Sequence, residues 1–506
     1  MKALHVNEID NVATALTPLE KGEVVLGVTL LENIAKGHKF ATVDIAKNLP
    51  VIKYASHIGV ASRDIKKGEW VHIHNIDGER GRGDTDENVR EIDQIVCAKK
   101  AVEKSKQKEY KLRGYRRDDG SFGFRNHILV IPSVHCANKV VENIANAVKF
   151  GSRLCTDECK VVFVNHQHGC SQLSYDAAQT KDVLAGNGAN PNVYGVLVVG
   201  LGCEVIQAKD VAAQIKELAP YKEVEYLTIQ ECGGNKKTIE KGVSIVKDML
   251  KHALNVKKSD GDLSDLVLGT ECGGSDSFSG LSANPALGSA CDVVIENGGS
   301  VILAETTELI GAEHILACRA KNESIKEQIL STIKGFEQKV IDAKADIRGA
   351  NPSPGNIEGG LSSIEEKSLG CIYKAGNEPV VAVKEYAKMI TDKGLTLMNT
   401  PGNDIEQLSG MVAGGCNVCV FTTGRGTPTG SAITPTIKVA SNSAVYKNMS
   451  DCIDINAGDV IDGKKSIKEI GDEILDFIVE LGNGKFTKAE ENDQNDFSIW
   501  RLATTV

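Results

Sequence analysis

No basic excess exists in this 506-residue chain: its 58 Lys and Arg stand against 68 Asp and Glu, a formal net charge of −10. Without surplus cations to release phosphate counterions, nucleic acid and charged membrane surfaces are disfavoured as partners. No apolar run approaches the roughly 20 residues that span a bilayer, and the start, MKALHVNEIDNVATAL, lacks the basic and apolar regions of a secretion signal. The expectation is a cytoplasmic protein that binds small molecules or other proteins. Solenoid-type repeats are also lacking, as are a P-loop and a Gly-x-Gly-x-x-Gly opening a helix near the N-terminus, so nucleotide binding is disfavoured. The 14 cysteines are scattered, and their one Cys-x-x-Cys pair has no second pair nearby to make a zinc ribbon. In a reducing compartment they do not read as a disulfide framework, but as small buried hydrophobes with a few metal ligands among them.

Aromatics at 5%, charged residues at 25% and 50 glycines fit a soluble α/β enzyme. The length exceeds one core and calls for two to four domains. Residues 1–95 carry short alternating strands between Gly and charged turns, as in Glu23-Val24-Val25-Leu26-Gly27-Val28-Thr29 and Trp70-Val71-His72-Ile73-His74, which predicts a small all-β module. His72 and His74 alternate along the second of these and share a face, as a metal pair or a solvated edge. The charged, nearly coreless KKAVEKSKQKEYK predicts a linker over residues 96–112. Residues 113–256 and 257–506 then alternate apolar β-branched runs with helical stretches, the pattern of two α/β domains with largely parallel sheets.

In parallel sheets, ligands bind beyond the carboxyl ends of the strands. Four predicted strands here run into a cysteine: Ser133-Val134-His135-Cys136, His166-Gln167-His168-Gly169-Cys170, Gly202-Cys203-Glu204 and Glu271-Cys272. Singly each reads as a buried thiol. Four at one functional edge, three of them beside His or Glu, suit iron or zinc. Cys416 and Cys419 have Cys-x-x-Cys spacing but run into a strand, which predicts core packing, while Cys155 and Cys159 lie in a polar stretch that predicts exposure. Thr422-Thr423-Gly424-Arg425-Gly426-Thr427-Pro428 combines hydroxyls, a guanidinium and flexible backbone, as an anion-binding loop or an ordinary turn.

Several longer motifs carry a resemblance. Gly114-Tyr115-Arg116-Arg117-Asp118-Asp119-Gly120 with Gly123-Phe124-Arg125-Asn126, then Gly200-Leu201-Gly202-Cys203-Glu204, Glu271-Cys272-Gly273-Gly274-Ser275-Asp276, Asn351-Pro352-Ser353-Pro354-Gly355-Asn356 and Thr423-Gly424-Arg425-Gly426-Thr427-Pro428 are similar to the altronate/galactarate dehydratase family. The resemblance spans nearly the whole chain, and the N-terminal part, with Asp10-Asn11-Val12-Ala13 and Gly37-His38-Lys39, resembles the family's SAF-type β-clip domain. Asn351-Pro352-Ser353-Pro354-Gly355-Asn356 and Glu366-Lys367-Ser368-Leu369-Gly370-Cys371 lean towards altronate as substrate, Ser133-Val134-His135-Cys136 towards galactarate.

The resemblance implies an iron(II)-dependent hydro-lyase converting altronate to 2-dehydro-3-deoxygluconate and water in hexuronate breakdown. Galactarate dehydration, sulfite elimination from a sulfonated hydroxy acid, and a sugar-acid sensor are the alternatives. Iron is expected among His166, Cys170, Cys203 and Cys272, with Glu204 and Glu271 as carboxylates close by; a [4Fe–4S] cluster on three thiols is the other form the cysteine count suits. Arg425 is expected to hold the substrate carboxylate, with Ser275, Asp276, Ser279 and Asn284 on its hydroxyls, and Arg125, Asn126, Asn356, Thr423 and Thr427 as further substrate contacts. A base must reach C2, and His38, Lys39, His135 and Lys374 are all chemically able. Gly37-His38-Lys39 would close over the site as a lid, and a homodimer is the expected assembly.

Overall fold

A computed structural model describes residues 1–81, 108–151, 155–156 and 158–506. Of the expected linker at 96–112, only residues 108–112 are among them; the rest, with the boundary at residue 95, lies outside the described residues. Leu112 already opens a strand.

The N-terminal module is all-β, as the short alternating runs predict. One antiparallel sheet orders Ala3–Leu4, Val12–Ala15, Lys39–Ala41 and Trp70–Val71; a second orders Pro50–Lys53, Ser56–Ala61 and Ile76–Asp77. The strand expected through His74 stops at Val71, because Asn75 turns the chain: its side chain donates to Trp70 O at 2.8 Å and accepts from His72 N at 2.9 Å. His72 is buried while His74 is exposed, so the two do not form a shared face. The rings of His38 and Trp70 cover His72, with centroids 4.8 and 5.4 Å away.

The central domain has a four-stranded parallel sheet in the order Val161–Phe163, His127–Pro132, Val193–Gly200, Glu223–Thr228. Successive side chains of a strand point to opposite faces. Accordingly Ile128, Val130, Leu197 and Val199 pack with the helices Asn138–Gly151 and Asn235–Ala253, while Leu129, Ile131, Val196 and Val198 pack with Ser174–Ala189 and Ala208–Leu218. Cys159, expected to be exposed, is instead buried, its thiol donating to Asn126 O at 3.0 Å.

The C-terminal domain has seven parallel strands in the order Val380–Lys384, Gly394–Met398, Ser300–Leu303, Val267–Gly273, Val418–Thr423, Thr436–Ala440, Ile455–Asn456. The first strand in sequence, Val267–Gly273, lies at the centre, and the chain adds strands to one side and then the other. That reversal opens a crevice at the carboxyl end of the central strand. Cys416 and Cys419 are buried in the apolar core.

The three parts pack as one body. Val51, Ile58 and Ala61 of the N-terminal module share a core with Phe278, Leu281, Ile364 and Leu369 of the C-terminal domain. The helix Ser174–Ala189 of the central domain lies against Asp404–Ala413 so closely that a Cβ on Gly186 would stand 2.5 Å from Ala413 O. Among the described residues, no helix is long and apolar enough to cross a membrane.

Candidate active site

The central strand Val267–Gly273 ends in Glu271 and Cys272, and its neighbour Ser300–Leu303 runs into Glu305 and Glu308. Glu305 holds a left-handed backbone, φ +70°, a strained setting for a non-glycine residue that clusters at functional sites. The helix Ile364–Cys371 and the turn Ile372–Ala375 bring Cys371 and Lys374 into the same space. Cys272 Sγ lies 3.2 Å from Glu305 Oε2, 3.6 Å from Glu308 Oε2 and 3.6 Å from Cys371 Sγ. Lys374 Nζ lies 3.2 Å from Cys272 Sγ and 3.1 Å from Cys371 Sγ, and contacts the Glu305 carboxylate.

Burial drives the electrostatics. Hydrogen bonding with Cys371 holds the Cys272 thiol well below the ordinary range, with Lys374 and Lys367 reinforcing this against desolvation. Burial, with Cys272 beside it, pushes Cys371 well up. Burial also raises Glu308 to about 8, although Lys367 donates to it at 2.5 Å, and raises Asp404, at the start of the next helix, to about 6. Glu271 is fully buried, and neither of its carboxylate oxygens has a hydrogen-bond partner. A carboxylate in that position costs several kcal/mol unless a proton or cation neutralises it. Two groups at this edge have metal-ligand geometry: Cys272, Glu305, Glu308 and Cys371, and the all-carboxylate set Glu271, Glu305 and Asp404.

Next to this cluster is a narrow cleft between the N-terminal module and the C-terminal domain, with about 10 Å³ of free volume, room for about one water molecule. Tyr54 supplies one wall, and Ser275, Asp276, Ser279, Asn284 and Lys367 much of the other. Lys367 joins the two spaces, since the ammonium that lines the cleft also binds Glu308. Ser275 Oγ is buried and unpartnered. Asp276, by contrast, accepts from the backbone N–H groups of Phe278 and Ser279 and from Ser441, Ser279 and Asn442, so it shapes the loop. Asn284 is committed to Gly370 O and Thr422 Oγ1, and Asn356 to Ser275 O and Ser353 N.

The N-terminal module is locked over this edge. Lys39 and Lys53 both reach Glu366 at 2.8 Å, all three fully buried. Lys39 also donates to Gly360 O at 2.9 Å, and His38 Nε2 lies 3.2 Å from Glu358 O. Gly360 (φ +97°) permits the approach: a Cβ there would meet Gly37 O at 2.3 Å. Burial, reinforced by Lys53 and opposed by Glu366, lowers Lys39 to about 8. Despite its burial, Glu366 is held well below the carboxylate range by the two lysines.

The expected ligands do not all meet. Cys272 and Glu271 belong to the C-terminal edge, whereas His166, Cys170, Cys203 and Glu204 lie at the edge of the central sheet. Both His166 ring nitrogens are engaged, Nε2 with Pro132 O at 2.8 Å and Nδ1 with His168 N at 3.1 Å. Glu204 accepts from Ser133 Oγ and Gly202 N. His135 and Cys136 are exposed at the same central edge. Arg125 and Asn126 are structural in their contacts: Arg125 clamps Glu490, Leu481 O and Lys485 O, and Asn126 bonds Arg117 and Ala253 O. Thr423 accepts from Gly426 N, Thr427 donates to Thr429, and Arg425, half-exposed, pairs with Glu358. The loop bearing Arg425 borders the cleft, since a Cβ on Gly424 would meet Asp276 N at 2.6 Å.

Glu305, Glu308, Cys371, Asp404, Lys367 and Tyr54 were not expected. The strand-end rule reaches Glu305 and Glu308, which follow the apolar run Ser300–Leu303 by two and five residues. Only the fold brings Tyr54 and Cys371 to the site.

Strongly shifted acids and thiols gathered at the switch point of a parallel sheet, beneath the N-terminal module, define an α/β enzyme. The relatives specify it further. Residues 263–505 match the D-galactarate/altronate dehydratase C-terminal family, 114–254 the D-galactarate dehydratase/altronate hydrolase second domain, and 1–79 the altronate/galactarate dehydratase SAF domain. An altronate dehydratase of Bacillus subtilis (strain 168) is 36% identical over 99% of both chains, and one of Escherichia coli (strain K12) is 37% identical over 100% of both. The galactarate dehydratase (L-threo-forming) of Escherichia coli (strain K12) is 33% identical over 95% of this chain and 93% of its own. The chain belongs to the altronate/galactarate dehydratase family.

Proposed function

We propose that the chain is a carbon–oxygen hydro-lyase that dehydrates altronate to 2-dehydro-3-deoxygluconate, with its reaction centre at the carboxyl edge of the seven-stranded sheet. The observation that carries this is the joining of a hydroxyl-lined cleft to a buried acid and thiol cluster through Lys367. The full-length similarity to two altronate dehydratases favours altronate. Galactarate is the second reading, favoured by the 33% identical galactarate dehydratase.

Dehydration across C2 and C3 removes a weakly acidic proton and expels hydroxide, and both changes concentrate negative charge. The donor set fits a divalent cation such as Fe2+: Glu271 has two orphaned oxygens, and Glu305 and Asp404 converge with it. These three would hold the ion, which supplies Lewis-acid stabilisation of developing oxyanions. Ser275 Oγ, buried and without a partner, is free to bind a substrate hydroxyl. Lys367 places a positive charge at the cleft wall, and Arg425 at the loop beside it is suited to pair with the substrate carboxylate.

Lys39 is our assignment for the C2 base. It is drawn down to about 8, close to the range where a general base is effective, and it touches Glu366 in the cleft wall. The N-terminal module thereby acts as a lid that also supplies the base and excludes water. Anaerobic incubation of the protein with altronate or galactarate, with Fe2+ added or chelated, tests the reading by following 2-keto-3-deoxy acid. Iron-dependent product from altronate supports it. Product from galactarate alone would transfer the assignment to the second reading, and product from neither would sink both.

A further inference from the structure

Of the free cysteines among the described residues, only Cys136, Cys170 and Cys203 are exposed. Cysteine is among the most buried residue types, so three outward thiols need a reason. All three occupy one place in the fold. Cys170, Cys136 and Cys203 follow, in that spatial order, three adjacent strands of the central parallel sheet, all at its carboxyl edge.

Their loops are tied to one another. His135 N donates to His168 O at 2.9 Å, which fixes the Cys136 turn to the Cys170 loop. Val205 N donates to Gly169 O at 2.9 Å, which fixes the Cys203 loop to the same one. Gly169 (φ +102°) allows this convergence: a Cβ there would stand 2.3 Å from Ser133 O and 2.6 Å from Val134 Cα. Gly202 (φ +125°), just before Cys203, likewise turns in a region that L side chains rarely adopt.

We propose that this edge of the central domain binds a [4Fe–4S] cluster through Cys136, Cys170 and Cys203, leaving the fourth iron for a small ligand. Thiolates are the ligands such clusters take, and each thiol gives up its proton as its Fe–S bond forms. A single tetrahedral zinc ion would draw its thiolates to about 3.8 Å from one another, given Zn–S bonds of about 2.3 Å. Zinc needs no sulfide, so the acid-labile sulfide content of the reconstituted protein separates the two. Cys232, half-buried after the next strand out, is not among the three. The site is separate from the reaction centre proposed above, whose thiols are Cys272 and Cys371, and it stands or falls independently of the substrate.

The test uses the full-length protein, purified anaerobically and reconstituted with sulfide and equal amounts of ferrous and ferric iron, which supply the two Fe(II) and two Fe(III) of the cluster, read by iron and acid-labile sulfide per chain and by visible absorption. About four iron and four sulfide are expected per chain. They should be lost in the C136S/C170S/C203S variant, in Cys203→Ser alone become substoichiometric, and persist in C272S/C371S. Native alkylation adds a second readout that does not depend on variants: the three thiols should react with iodoacetamide before reconstitution and be protected after it. Cluster retained in the triple variant, iron taken up without sulfide, or no protection from alkylation would each overturn the proposal.

Discussion

The two parallel sheets of this molecule end in similar chemistry and treat it in opposite ways. At the seven-stranded sheet the thiols, acids and Lys374 are buried under the N-terminal module, and desolvation moves Glu308 to about 8 and Asp404 to about 6. At the four-stranded sheet three cysteines stay exposed and the carboxylate beside them, Glu204, is satisfied by Ser133 and Gly202. Burial without partners, as at Glu271, is what creates a demand for a cation and a gradient of proton affinities suited to acid–base work. The module that covers this edge therefore matters as much as the residues beneath it.

Removing the N-terminal module's Lys39 should separate the two edges most strongly. Lys39→Ala is expected to lower kcat by about 10²–10⁴-fold. Lys39 must be neutral to accept a proton, so wild-type kcat/KM should climb with pH and level off above about 8. Steady-state kinetics across pH should show that limb vanish in the variant, and an unchanged limb would remove Lys39 from the role.

The contact that holds the N-terminal module should come next. Glu366→Ala leaves Lys39 and Lys53 buried without their counter-charge, a loss of about 3–5 kcal/mol. Because the Glu366 carboxyl lies below its unfolded value, its contribution is present above the ordinary carboxylate range near 4.3 and is lost as pH falls through the folded value. Urea unfolding of wild type and variant at pH 7 measures the difference. The mildest effect is expected from Arg425→Ala. Its pair with Glu358 is exposed and contributes little to stability, so the melting temperature should barely move, while KM for altronate rises about tenfold or more through the lost charge-assisted contact.

Much of this fold could be read from the sequence, because β-branched runs between helical stretches mark strands buried on both faces, and short alternating runs between Gly and charged turns near the N-terminus mark short antiparallel strands. The strand-end rule reached Glu271 and Cys272 directly. It also collected Cys170, Cys203 and His166 into the same set, since residue order does not say which of two sheets a strand joins. Tyr54 and Cys371 come to the site only through packing across domain boundaries, which no local pattern encodes. Arg125 and Asn126 sit in a family motif, and their buried contacts with Glu490, Arg117 and backbone carbonyls give that motif a role in joining domains.

The most direct measurement is anaerobic altronate turnover by Glu271→Gln in the presence of saturating Fe2+. The substitution keeps size and shape and removes only the charge that two orphaned oxygens offer. With the reaction centre at the seven-stranded sheet, turnover should fall about 10³-fold while the fold is retained. Turnover within a few-fold of wild type would contradict that placement and send the search back to the exposed edge of the central domain.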